Sequence, residues 1–219
     1  MTAAPDQPSR ASPAAADERD LLARLRAGDA AAFSALVARH GGALLRLATT
    51  FLKDRAAAEE VVQDAWLALL EHVATFEGRA TLRTWLFQVV ANRARTRLAR
   101  EGRSVPFSAF EAQGEGGEPA VVPDRFDAAG HWRSPPSAWA TDDPERLAQA
   151  GETRALLEHA IAELPEAMRA VIVLRDVDGL EADEICNVLG LSVSNQRVLL
   201  HRARTRVRQA LEQHLSGAR

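Results

Sequence analysis

Residues 179–204 constrain this chain more than any other stretch. A short amphipathic helix is predicted to end at Gly190, because glycine alone takes the left-handed turn there without a side-chain clash. Ser192 then stands where a following helix needs an oxygen to accept its first free amides. The helix after it carries Arg197, Arg202 and Arg204. Two helices joined by so tight a turn form a helix-turn-helix, the arrangement that lays one helix in a DNA major groove and braces it with the other.

Charge distribution points the same way where net charge does not. The 219 residues carry a formal charge of only −3. Yet Arg79 to Arg103 holds seven arginines against one acid, Glu101, and Arg197 to Arg208 holds five arginines and no acid. Such stretches suit phosphate contact, although solvated helix faces can look alike. Cys186 is the only cysteine, which excludes an internal disulfide and a multi-cysteine zinc site and reads as a small core residue. No apolar run reaches membrane-spanning length and no signal-peptide core is present, so the expectation is a soluble, cytoplasmic protein without membrane insertion.

Helical periodicity divides the rest. Residues 1–18, rich in Ala, Pro, Ser and Asp, read as a disordered tail. From 19 to 100 the apolar spacing is that of amphipathic helices. Asp29 caps one bearing Phe33, Leu36, Leu44, Leu47 and Phe51. Asp54 caps another bearing Ala58, Val61, Val62, Ala65, Trp66, Leu69, Leu70 and Val73, with Glu59, Glu60, Gln63, Asp64 and Glu71 opposite. Thr81 caps a third that buries Leu82, Trp85, Leu86, Val89 and Val90 and turns Thr84, Gln88 and Arg95 away, with Asn92 on the edge. Periodicity fails over 101–147, which holds six of the ten prolines and reads as a linker, with Phe107, Phe110, Phe126, Trp132 and Trp139 as its sticky points. Helices resume over 148–216. The fold class is therefore all-α, two small helical domains joined by a long Pro- and Gly-containing linker, the second ending in the helix-turn-helix.

In the last helix Val193, Leu200, Ala203, Val207, Ala210 and Leu211 are expected to face the core. Ser194, Val198, Arg202 and Thr205 face out, Asn195 lies near that edge, and Arg197 and Arg204 flank it. Arg can bond guanine, Asn adenine, and Val a thymine methyl, while later arginines suit phosphates. A metal site at Glu59, Glu60 and Asp64 is disfavoured, since no histidine stands at ligand spacing. The six histidines are scattered and form no nucleophile–base pair, so neither catalytic residues nor a cofactor is expected.

Taken together, these segments resemble the bacterial sigma-70 family of RNA polymerase sigma factors, in its small extracytoplasmic-function group. Ala58 to Trp66 looks like that family's polymerase-binding segment. Phe76, Glu77 and Gly78, followed by Thr84, Trp85, Leu86 and Asn92, look like its loop and helix for the −10 element. Leu164 with Pro165, Leu174 to Asp176, Gly179 to Gly190 and His201 to Arg204 look like its −35-reading domain. The resemblance implies that Glu60, Gln63 and Asp64 bind the beta-prime clamp, with the beta flap as a second polymerase contact. It implies that Phe76, Arg79, Thr84, Gln88, Asn92 and Arg95 take the −10 element, and that Ser194, Asn195, Arg197, Val198 and Arg202 take the −35 element. The implied partners are core RNA polymerase, promoter DNA and an anti-sigma factor. The chain departs from the family at Gln196, usually apolar, and at Val198 and Leu199, usually polar or basic. A buried, unpaired Gln196 amide would cost about 1–3 kcal/mol, which predicts a partner for it or a shifted helix. The alternatives are a self-sufficient repressor or activator using the same motif, or an interaction module that mimics such a factor.

Overall fold

The computed structural model describes residues 13–100 and 144–217, without the side chains of 13–16, 144–150 and 215–217. The stretch 101–143, with its five large aromatics, lies outside the described residues. Among the described residues every regular element is helical. The first body comprises α1 (Pro13–Arg26), α2 (Ala30–Phe51), α3 (Arg55–His72) and α4 (Leu82–Arg100), and the second α5 (Pro144–Ala162), α6 (Glu166–Ile172), α7 (Ala182–Leu189) and α8 (Val193–Gly217). α1 reaches back to Pro13, into the stretch that composition assigns to a tail, and α5 begins at Pro144, inside the proposed linker.

Caps set the boundaries. Asp29 accepts the amides of Ala31 and Ala32 at 2.9 and 3.1 Å, opening α2, and Asp54 accepts that of Ala56 at 3.1 Å, opening α3. α4 is capped twice: Thr84 N–H donates to Thr81 Oγ1 at 3.1 Å, and Leu82 N–H donates to Glu18 of α1. The second cap is long-range and has no signature in local sequence. α6 runs on through a π-helical turn, Val173–Val177, closed by Asp178 N–H on Val173 O at 2.9 Å.

In the first body α2 packs on both α3 and α4, around Leu44, Leu47, Leu69, Leu82, Leu86 and Phe87. In the second, α8 crosses α5, α6 and α7 over Leu174, Leu180, Ile185, Leu189 and Leu199. The bodies also pack on each other, α4 against α7 and α2 against α6. One apolar cluster runs through both.

Candidate nucleic-acid interface

The helix-turn-helix forms as its residues dictate. Gly190 sits at φ +66°, in the left-handed region, and ends α7. Ser192 Oγ accepts the Asn195 amide at 3.2 Å and opens α8. α8 turns Ala203 and Val207 inward and packs Leu200, Ala210 and Leu211 on the core, as expected, but departs from the expected stripe at Val193, Leu199 and Thr205. Leu199, not Val193, enters the core, at 2% against 42% exposure. Asn195, Gln196 and Thr205 are buried with it. Gln196 is buried on the stripe where the sequence placed it. Ser194, Arg197, Val198 and His201 form one outward stripe, three and four residues apart, with Arg202 half-buried beside it. His201 was not singled out from sequence, although it stands seven residues beyond Ser194, two helical turns along the same face. Asn195 is turned inward.

Arg204 and Arg208, both in the acid-free run, are ion-paired within the protein. Arg204 grips Asp176 with two nitrogens, Nε to Oδ2 at 2.9 Å and Nη2 to Oδ1 at 2.6 Å, which braces α8 on the π-helical turn. The hydrogen bond to Asp176 raises its pKa above the ordinary arginine value. Arg208 pairs with Glu212 along the helix at 2.6 Å. Arg197 and Arg206 remain exposed.

The second candidate surface begins at the loop before α4. Arg26 Nη2 donates to Phe76 O at 2.7 Å and its Nε to Val73 O at 3.1 Å, so α1 fixes the loop. Phe76 meets Trp85 edge-on, ring centroids 6.0 Å apart. Gly78, at φ +71°, takes a left-handed turn in the loop that closes beside these rings. The result is an open cleft of about 490 Å³ lined by Phe76, Arg79, Trp85 and Gln88, with His72 and Thr75 at its side. Arg79 reaches outward, paired with Glu77 at 2.6 Å. The cleft has the size of a small-ligand site, with an aromatic wall for stacking and a cation at its mouth.

The remaining polar residues of α4 turn toward the second body. Thr84 is buried, and its hydroxyl donates to Glu184 Oε1 at 2.6 Å. Gln88 reaches Asn187 O at 3.4 Å. Arg95 donates to Leu189 O at 2.9 Å and lies over the Phe51 ring at 5.7 Å. Its burial lowers its pKa, against the raising effect of Glu166. Asn92 alone of this group is exposed.

On α3, Glu60, Gln63 and Asp64 are exposed. Arg97 reaches Glu60 at 2.5 Å and Arg93 reaches Asp64 at 2.9 Å, so α4 already neutralises part of this acidic face. Leu70, expected in the core, is 54% exposed, and Leu67 beside it is 51% exposed. Leu67 and Leu70 stand four and seven residues beyond Gln63. That spacing continues the polar face as an apolar ledge and could have been read from sequence. No group of three or more His, Cys, Asp or Glu placed to hold a metal occurs among the described residues.

A helix-turn-helix on one helical body and an aromatic cleft on the other are the architecture of a two-domain, all-helical DNA-binding protein. Residues 36–104 match sigma-70 region 2, and residues 154–207 match sigma-70 region 4. The chain belongs to the sigma-70 family and is a promoter-specific initiation factor of RNA polymerase. It is 28% identical to the RNA polymerase sigma-H factor of Pseudomonas aeruginosa, over 92% of this chain and 97% of that one. It is likewise 28% identical to the ECF RNA polymerase sigma-E factor of Escherichia coli K12, over 84% and 88%. Among solved structures it is similar to CnrH in complex with the cytosolic domain of CnrY, at 26% identity and a TM-score of 0.54 over 90% of this chain and 97% of that one. No helix among the described residues is long and apolar enough to cross a membrane.

Proposed function

We propose that this chain carries core RNA polymerase to promoters by reading two DNA elements with its two bodies. The outer stripe of α8 enters the −35 major groove, with Ser194, Arg197, Val198 and Arg202 at base edges or phosphates. Asn195 contributes by holding the N-terminal turn of α8 in place from within. The Phe76–Trp85 cleft receives an unstacked base of the −10 element, while Arg79 and Asn92 approach its backbone. Thr84, Gln88 and Arg95 join that surface once α4 is uncovered. Holding an extruded base offsets the few kcal/mol that unstacking costs, and so favours the open duplex. Glu60, Gln63 and Asp64, with the ledge of Leu67 and Leu70, form the face for the beta-prime clamp; the second body meets the beta flap. The chain itself breaks no bond and works in the bacterial cytoplasm. A cytosolic regulator of the anti-sigma kind is its further partner, by analogy with CnrH and the cytosolic domain of CnrY that it holds. The limits used for the two bodies, 19–100 and 148–216 with a linker between, belong to the same reading.

The aromatic cleft on the first body is the observation that carries this assignment, because a repressor using α8 alone would have no use for it. Run-off transcription with purified core polymerase on genomic promoter fragments tests it. Added chain should produce new start sites, and Asn92→Ala should lower open-complex formation without weakening duplex binding. A chain that binds duplex but never joins core polymerase would overturn the assignment in favour of the repressor.

A further inference from the structure

The seam between the two bodies treats the DNA-reading surfaces unequally. α7 and the turn before it cover the polar face of α4, whereas the outer stripe of α8 faces solvent. Asp178 lies at the centre. Its side chain is 1% exposed; Arg46 of α2 donates to its Oδ1 at 2.5 Å, and Arg83 of α4 donates to its backbone carbonyl. Glu184 fastens the next turn with one carboxylate, taking the Glu181 amide at 2.9 Å and the Thr84 hydroxyl at 2.6 Å. Arg95 closes the far end on the last carbonyls of α7, Val188 O and Leu189 O, where the helix dipole favours a cation.

We propose that Asp178, with Arg46 and Arg83, is a latch that holds the free chain in a closed form in which the outer stripe of α8 is open to duplex while Thr84 and Arg95 of α4 are kept from a single strand. The inference rests on the two-element reading above. In the closed form Thr84, Gln88 and Arg95 hydrogen-bond protein where they would otherwise meet nucleic acid. Ser194, Arg197 and Val198 need no rearrangement. Duplex engagement therefore comes first, and the full −10 contact, beyond the open Phe76–Trp85 cleft, waits for the bodies to part.

The latch is built to open. Asp178 Oδ2 is buried without a hydrogen-bond partner, so closure desolvates a carboxylate that is hydrogen-bonded through one oxygen, with the charges of Arg46 and Arg83 offsetting part of the cost. Glu166, at the start of α6, is also half-buried at the seam, and burial raises the pKa of both carboxyls despite the arginines nearby. Opening restores water to all these groups. Arg46 and Asp178 belong to neither DNA-reading surface, so changing them alters the latch alone.

The full-length chain tests this in both directions. Arg46→Ala and, separately, Asp178→Asn should enlarge the radius of gyration in small-angle X-ray scattering. They should also tighten binding of a labelled, degenerate single-stranded DNA pool about tenfold, the factor by which a one-tenth open population weakens apparent affinity. Affinity for −35 promoter duplex should not change. Conversely, Arg46→Cys with Asp178→Cys in a Cys186→Ser background, joined by a short bis-maleimide, should bind −35 duplex normally yet fail to form open complexes with core polymerase. Melting curves confirm that each variant is folded, and Arg46→Ala, on the exposed side of the pair, keeps the test alive if Asp178→Asn unfolds. A cross-linked chain that initiates as well as its uncross-linked form overturns the latch while leaving the function intact. So does an expanded variant with unchanged single-strand affinity. If the uncross-linked chain also fails with core polymerase, the assignment of function has failed instead.

Discussion

α4 and α8 carry more arginines than any other helix among the described residues, and they use their charge in opposite ways. Along α4, Arg93 and Arg97 pair with acids of α3, while Arg83 and Arg95 bond carbonyls of the second body. Along α8, Arg204 and Arg208 are tied within the second body, but Arg197 stands exposed on the stripe of Ser194 and Val198. A charge run thus predicts that a helix has polar work to do, not where that work lies. The difference is one of surroundings. α4 is flanked by acids on α3 and by the last carbonyls of α7, whereas Ser194, Arg197 and Val198 on the outer face of α8 are exposed.

The comparison can be attacked first at its foundations. Phe87 and Leu199 hold the inner faces of the two helices, at 0% and 2% exposure. Truncation to alanine should cost about 3–5 kcal/mol for Phe87 and about 2–5 kcal/mol for Leu199, read by urea denaturation. Equal loss from both would mean that the joined core melts as one. Separate transitions for the two variants would mean that each body keeps its own stability.

Next come the arginines. Arg197→Ala should weaken −35 duplex binding by about 1–3 kcal/mol if it meets a base, with no change in melting temperature. Arg95→Ala should do the reverse in the free chain, lowering the melting temperature through loss of the Leu189 contact and leaving duplex affinity unchanged. If both variants lose only duplex affinity, the contrast drawn between α4 and α8 is mistaken.

Local chemistry was legible in this sequence wherever one residue acts on its neighbours. Asp29, Asp54, Ser192 and Gly190 all perform the capping and turning that their types predict. The spacing put Trp85 in the core, whereas it stands half-buried on the wall of the cleft beside Phe76; only the family resemblance set the two residues in one segment. What escaped depends on elements distant in sequence. Glu18 caps a helix 64 residues away, and Thr84 meets Glu184 across 100 residues. Neither partner leaves a mark on the other's local pattern. The exposure of Val193 and the burial of Leu199 escaped for a different reason. A periodicity count that weighs every apolar residue equally cannot tell which of the apolar positions of α8 turn inward. Leu70 was misplaced by the same arithmetic.

The smallest effects distinguish the two bodies by their caps. Ser192→Ala should cost the second body about 1 kcal/mol, because the Asn195 amide loses its acceptor. That loss should be the same at every pH, since a serine hydroxyl does not titrate in the accessible range. Asp29 in the first body behaves otherwise. The Ala32 amide, then Arg24 through its hydrogen bond and charge, hold its carboxyl below the ordinary value of 3.8. A carboxyl with a depressed pKa in the folded chain contributes its full stabilisation above its unfolded value and loses it as pH falls through the lower, folded value. The stability difference between wild type and Asp29→Asn should therefore be constant at neutral pH and shrink below about pH 4. It should also shrink in high salt, because the site is exposed and Arg24 is screened there. A difference that stays flat into acid would mean that Asp29 acts only as a hydrogen-bond acceptor, as Ser192 does, and the two bodies would then be capped alike.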